Sequence, residues 1–450
     1  MGIYNCRGIN LEFSWGILSC YQRDARDIVV ICIFLLHILR IRRHSRYVCY
    51  IEIWRRWVVL DIAGWLRLLW WLGPWCDQKR APKNIEHHDS MLSGSRECTL
   101  RIYTHTTRMS PHAAILVLPG LHPDGLSDAR MDRFCRVLAD AGMVVGAPEL
   151  PSMVDSVMQE HVLQDGEIAL QGFQRALQER YGAAQNVAIG IFCISASSIV
   201  GLYLASLPAN KDIIHSVHLF GGFIDWLEAL RFSMTGVIHG QTVVRVDPLS
   251  LPVMYMNIVH SFPSFCEGTE DDRIALQQGW FQFVSAVWEK ASMQDPSVYT
   301  PIAEQIAQHI LEKTQAEPIR ELFLQGCTVR AKGVERALEF LENIEKENQS
   351  YLSWLDPLLL VENMKATLYI SHGMEDVVVP YTQAKRLCAL VKQTHRYPEK
   401  VSEFTTGLYH HTGTVDFVQI FRIISAIPKE IWTSIQMVRA IAKTGGILQE

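Results

Sequence analysis

The 450-residue chain contains no Cys-x-x-Cys pair, no P-loop and no Gly-x-Gly-x-x-Gly run. Without the first, a zinc site lacks its usual ligand spacing, and eleven irregularly placed cysteines do not suggest a disulfide framework. The thiols are expected to be buried and free, in a reducing compartment. Without the other two, no cofactor is implied, and no metal cluster stands out. No basic stripe with interleaved aromatics is present, so nucleic acid is not an expected partner. Long apolar runs free of charge are lacking as well. Ile28–Ile41 falls short of the ~20 residues a spanning helix needs, and His37 interrupts it. Trp57–Trp75 is long enough but contains Asp61 and Arg67, and a charge near the bilayer centre costs about 2.5–3.5 kcal/mol.

What is present is unevenly spread. The chain is 49% hydrophobic and 20% charged, a globular and somewhat apolar composition. Residues 1–80 hold twelve basic against six acidic residues and seven of the twelve tryptophans, so the remainder is acidic. Tryptophan with arginine is the composition of a bilayer interface. Arg40, Arg42, Arg43, Arg46, Arg55 and Arg56 could hold anionic lipid at roughly 1 kcal/mol each. Residues 1–80 are therefore read as an apolar membrane-contact arm without a cleavable signal peptide, with a membrane surface as partner. The unpatterned cysteines place the body on the cytoplasmic side; the arginine excess before Trp57 argues the opposite by the positive-inside rule. Residues 81–98 are polar with Pro, Gly and Ser and read as a linker.

From Thr99 the pattern changes. Thr99–Thr104 alternates polar and apolar residues as a first edge strand would. Ala113–Leu118 is an apolar run that ends in Pro119-Gly120-Leu121-His122. Met131, Phe134, Val137 and Leu138 recur at helical spacing, and Gly142 is a stop signal. Strands over 143–147, 187–194 and 216–220 alternate with helices over 163–181 and 197–207. This rhythm predicts an α/β fold with a parallel sheet covered on both faces.

Ser195 stands where the apolar run 187–194 meets the helix beginning near 197. A strand that turns so sharply into a helix needs small residues two before and two after the serine. The usual Gly-x-Ser-x-Gly is here Cys193-x-Ser195-x-Ser197. Both replacements are small, but neither tolerates strained backbone as glycine does.

Together with the serine turn, several segments resemble the α/β-hydrolase superfamily, over roughly 100–225 and 355–440. They are Pro119-Gly120-Leu121 after a strand, the helix through Arg133–Gly142, the strand from Met143, His372-Gly-Met-Glu-Asp376-Val-Val-Val-Pro380, and Leu408-Tyr-His-His-Thr412. The resemblance implies a mostly parallel sheet flanked by helices. By it, residues 99–225 and 355–450 would form the core and 226–354 a helical lid insertion. It also implies Ser195 as nucleophile, Asp376 as orienting acid and His411 as general base, in the chain order of that fold. His410 remains the alternative base; the aromatic Tyr409, two residues earlier, favours His411. The backbone N–H groups of Leu121 and Ala196 would meet the oxyanion. His372 is read as structural, Glu375 as a solvated neighbour of the acid, and Ser197 and Ser198 as helix caps.

Helices are expected over 272–290, 301–313 and 331–346. The dense aromatics of the insertion either form its own core or line a pocket. The expected activity is cleavage of an ester or thioester of a lipophilic acyl substrate through an acyl-enzyme. Two other readings stand beside it. The same triad serves an acyltransferase, and the missing elbow glycines would suit an inactive binding or scaffold protein.

Overall fold

The computed structural model describes residues 62–73, 76–92, 98–107, 113–182, 187–238, 240–242, 246–247, 249–288, 296–329, 332–346, 350–362, 364–395, 397–409 and 427–448. Eight strands form one sheet: β1 (Ile85–Leu92), β2 (Cys98–His105), β3 (Ala114–Leu118), β4 (Val144–Glu149), β5 (Ile189–Ile194), β6 (Ile214–Phe220), β7 (Thr367–Gly373) and β8 (Val401–Thr406). Their order is β1-β2-β4-β3-β5-β6-β7-β8. The first two pairings are antiparallel and the rest parallel, as the alternation of strands and helices predicts.

The longer helices are α1 (62–72), α2 (Ala129–Asp140), α3 (Val162–Tyr181) and α4 (Ser198–Ser206). The insertion then contributes α5 (Trp226–Thr235), α6 (Ser250–Ser261), α7 (Glu270–Val287), α8 (Pro296–Thr314), α9 (Glu317–Gly326) and α10 (Gly333–Lys346). The core resumes with α11 (Thr382–Thr394) and α12 (Ile427–Thr444).

Burial explains why the central strands read as continuous apolar runs. Every residue of β3 is buried, and its side chains alternate between two cores. Leu116 and Leu118 pack with Phe173, Ile191 and Val200 on one face. Ile115 and Val117 pack with Met131, Leu138, Phe192 and Val438 on the other. The second layer sits so close that β5 needs a glycine. An ideal Cβ on Gly190 would lie 1.6 Å from the carbonyl oxygen of Thr444, at the end of α12.

Two expectations need correction. The segment 81–98 is not a linker throughout, because Ile85–Leu92 is the edge strand and Cys98–His105 the second. Only the two end residues of β1 are buried, so its sequence carries no alternation. Eight-residue antiparallel pairing with β2 forms it instead. The arm also ends earlier than residue 80. The chain divides between Val58 and Val59, and α1 belongs with the body. Leu68 is fully buried in the second core, and Trp71 Nε1 donates to Asp140 Oδ2 at 3.1 Å. Among the described residues no helix is long and apolar enough to cross a membrane. Ile28–Ile41 and the start of Trp57–Trp75 lie outside the described residues.

The insertion has its own core, built around Tyr255, Trp280, Phe283 and Phe323. Most of its aromatics therefore stabilise it from within. Its contacts with the sheet domain are specific. Asn257 Oδ1 accepts from Met158 N at 2.9 Å, and its Nδ2 donates to the Ser156 carbonyl at 2.9 Å. Gln383 Oε1 accepts from Ile224 N and Asp225 N at 2.8 and 2.9 Å, where the insertion begins.

Candidate active site

The registers align the carboxyl ends of the parallel strands. Leu118 pairs with Cys193, Ile194 with Phe220, Phe220 with Ser371, and Ser371 with Phe404. Strands lie ~4.8 Å apart, so β7 is ~10 Å and β8 ~14 Å from β5, distances that short loops can bridge. The segments after β3, β5, β7 and β8 thus leave the same edge of the sheet, where parallel α/β sheets form their sites.

Ser195 follows β5 directly, with φ +54°. A side chain in this left-handed region costs roughly 1–3 kcal/mol, so the strain of the turn falls on the serine itself. The residue is half-buried and starts a 3-10 turn that continues into α4. Both missing elbow glycines are accommodated. A Cβ on Gly201 would stand 2.1 Å from Cys193 Sγ, so the thiol occupies space that a glycine in α4 leaves. Burial pushes that thiol's pKa well up, which keeps Cys193 from competing as a nucleophile.

Ser197 differs from the helix cap expected of it. Its Oγ accepts from Ile194 N at 2.9 Å and lies 3.0 Å from the carbonyl oxygens of Leu118 and Ile194, to one of which it donates. The hydroxyl thus ties the turn back to the strand ends and makes no cap hydrogen bond to α4. Ser198 Oγ is buried, has no hydrogen-bond partner among the described residues, and caps nothing either.

The loop after β3 lies against the serine. A Cβ on Gly120 would be 3.2 Å from the Ile194 carbonyl and 3.5 Å from Ser195 Cβ. Leu121 is next in that loop, and Ala196 is buried at the start of the turn into α4. The loop is held at several points. His122 N donates to the Met153 carbonyl (2.9 Å), and Leu126 N donates to Glu149 Oε2 (3.1 Å). Asp124 N donates to His122 Nδ1 at 3.1 Å, so that nitrogen is an acceptor. The ring meets Trp288 of the insertion edge-on at 4.4 Å, and burial lowers its pKa.

Asp376 is buried in the loop after β7. Its Oδ1 accepts from Val378 N and Val379 N, both at 2.8 Å. Its Oδ2 is 3.1 Å from His372 Nε2, which is also 2.9 Å from the Val379 carbonyl. A carbonyl can only accept, so Nε2 carries the proton and donates. His372 is fully buried and braces the carboxylate, as a structural role requires. Glu375 is half-buried beside it.

His410 and His411 lie outside the described residues. The chain is described up to Leu408 and Tyr409, both buried where β8 leaves the sheet. Sequence reasoning missed two features here. One is the fit of Cys193 against Gly201; the other is Glu430, whose carboxylate holds the end of β8 from α12. Neither pair is linked by a local spacing signal. Among the described residues no group of three or more His, Cys, Asp or Glu could hold a metal ion.

No family model and no curated protein sequence matches the chain. Among solved structures it is similar to an acylaminoacyl peptidase of Pyrococcus horikoshii, at 13% identity and a TM-score of 0.41 over 80% of this chain and 41% of that one. The chain spans about two fifths of the peptidase's length. It is similar to the esterase Pf2001 of Pyrococcus furiosus at 12% identity and a TM-score of 0.39, over 80% and 90% of the two chains. Similarity to the Legionella pneumophila protein lpg1103, assigned as a hydrolase, is 11% with a TM-score of 0.45, over 85% and 95%.

Proposed function

We propose that this chain, which has the α/β-hydrolase fold, is a serine hydrolase that cleaves an ester or thioester of a lipophilic acyl compound. The observation that carries this reading is Ser195 at φ +54°, between the central strand and a helix and against the Gly120–Leu121 loop. Such a turn presents a hydroxyl at the edge of the sheet with backbone N–H groups on either side. Ser195 Oγ attacks the acyl carbon, and His411 takes its proton as general base. Asp376 orients the imidazole and stabilises its protonated form. The backbone N–H groups of Ala196 and Leu121 receive the negative charge on the former carbonyl oxygen. His411 then protonates the leaving group, and water repeats the sequence to release the acid.

The two replaced elbow glycines would suit an inactive binding module. The space that Gly201 leaves for Cys193 and the hydrogen bonds of Ser197 support an intact turn despite both replacements. The edge-on contact of Trp288 with His122 puts an aromatic side chain of the insertion beside the Pro119–Asp128 loop, which supports a lipophilic acyl group. The insertion would act as the lid over it.

The test is reaction with a fluorophosphonate followed by peptide mapping. The adduct is expected on Ser195, and His411→Ala is expected to abolish labelling while His410→Ala retains it. Folded protein that never reacts would overturn the assignment. The reverse histidine pattern would make His410 the base.

The Arg-rich segment before residue 59, with Trp15, Trp54 and Trp57, would hold the enzyme to an anionic membrane surface, on the cytoplasmic side. Deleting residues 1–58 is expected to move the protein from the membrane pellet to the soluble fraction. Unchanged pelleting would sink this localisation.

A further inference from the structure

The span that leads from β8 to the two histidines is held at both ends. At its start, Thr406 is fully buried; its Oγ1 donates to Glu430 Oε2 at 2.8 Å, and Gly407 N donates to the same oxygen at 2.8 Å. Leu408 N donates in turn to Thr406 Oγ1 at 3.2 Å. At its end, Tyr409 Oη donates to the carbonyl of Leu72 at 2.8 Å. Leu72 is the last residue of α1, and the last carbonyls of a helix have no partner within it.

The neighbouring carbonyls of α1 are satisfied as well. Gly73 N donates to the Leu69 carbonyl at 3.1 Å, and Arg133 Nη2 donates to the Trp71 carbonyl at 2.8 Å. Gly64 of the same helix allows close approach to α2, since a Cβ there would be 2.6 Å from the Ala141 carbonyl. The helix that receives Tyr409 is therefore itself locked to the body. Tyr409 is packed edge-on to Phe220, the residue paired with Ile194 before the serine. Burial raises its phenol pKa, so it remains a donor throughout the working pH range of a hydrolase.

We propose that Tyr409 and Glu430 are positioning residues for the catalytic histidine, and that α1 is thereby part of the active-site scaffold. This rests on the serine-hydrolase reading. The anchors fix the chain immediately before His410 and His411, which follow Tyr409 by one and two residues. A displacement of ~1 Å at a reacting group costs up to ~10²-fold in rate.

The experiment compares full-length wild type, Tyr409→Phe, Glu430→Ala and Glu430→Gln with a short-chain p-nitrophenyl ester. It also measures the rate of fluorophosphonate labelling and the amide exchange of residues 404–409. Tyr409→Phe is expected to lower kcat about 10- to 100-fold and slow labelling in parallel, with KM changed less than twofold. Exchange at Gly407–Tyr409 should rise. Glu430→Ala removes the acceptor of Thr406 and Gly407 and is expected to lower kcat and labelling in the same way, whereas Glu430→Gln keeps an acceptor and should restore most of that loss; unchanged Glu430→Ala kinetics would remove Glu430 from the proposal.

A labelled wild type with unchanged Tyr409→Phe kinetics would overturn the positioning role alone. So would a fall in kcat matched by an equal loss of folded protein. A wild type that is never labelled would remove the serine-hydrolase reading, and the catalytic role of Tyr409 with it; the exchange measurement would still report whether the anchor exists.

Discussion

Ser195→Ala is expected to lower ester turnover by on the order of 10⁶-fold while leaving the thermal midpoint within a few degrees of wild type. The loss is large because the nucleophile is the one group in the triad that forms a covalent bond. Backbone donors at Leu121 and Ala196 would still hold the substrate and leave a residual rate over water of about 10³–10⁴. Stability should barely change, because alanine at φ +54° carries the same Cβ strain as serine. Turnover and a melting curve on the same preparation decide the matter. A variant that keeps a tenth of wild-type turnover would place the nucleophile elsewhere. Cys193 is not an obvious substitute, since its thiol is fully buried and held protonated.

Asp376→Asn is expected to cost about 10⁴-fold in kcat, together with a measurable loss of stability. Asparagine can keep its Oδ1 on the N–H groups of Val378 and Val379. Its amide nitrogen would then face His372 Nε2, which already donates to the Val379 carbonyl. Two donors meeting in a buried site leave one of them unpaired, at about 1–3 kcal/mol. The catalytic loss has a separate origin, because an amide no longer stabilises the imidazolium formed during attack. Steady-state kinetics beside denaturant unfolding separate the two effects. Glu375→Gln is the control. If it lowers kcat by 10³ or more and Asp376→Asn does not, the acid role belongs to Glu375.

The amino-terminal boundary changes how these experiments are designed. Residues 62–80 contribute a buried leucine, a tryptophan hydrogen bond to Asp140 and the acceptor for Tyr409. A truncation at residue 80 would remove part of the folded body along with any membrane segment. A cut at residue 58 leaves α1 in place.

The central strands and helices were legible because their signals are local. Ala113–Leu118 is continuously apolar, since it is covered on both faces, and Met131, Val137 and Leu138 repeat at the helical period because one side of α2 meets the sheet. The serine turn was legible for the same reason: small residues around Ser195 are a requirement of backbone geometry within five positions. β1 escaped notice because Glu86-His-His-Asp-Ser faces solvent and its strand exists only through pairing with β2.

By itself, then, the amino-acid sequence determined the alternation of elements, the order of the proposed triad and the serine's place between strand and helix. These depend on interactions among near neighbours in the chain. Tertiary structure alone decided that Gly201 makes room for Cys193, that His372 and not solvent meets Asp376, and that Glu430 and Leu72 hold the span before His410. A hydrogen bond such as that from Tyr409 to Leu72 joins groups 337 positions apart. It uses a carbonyl that every helix end offers, so no pattern of side chains could mark it before the chain had folded back on itself.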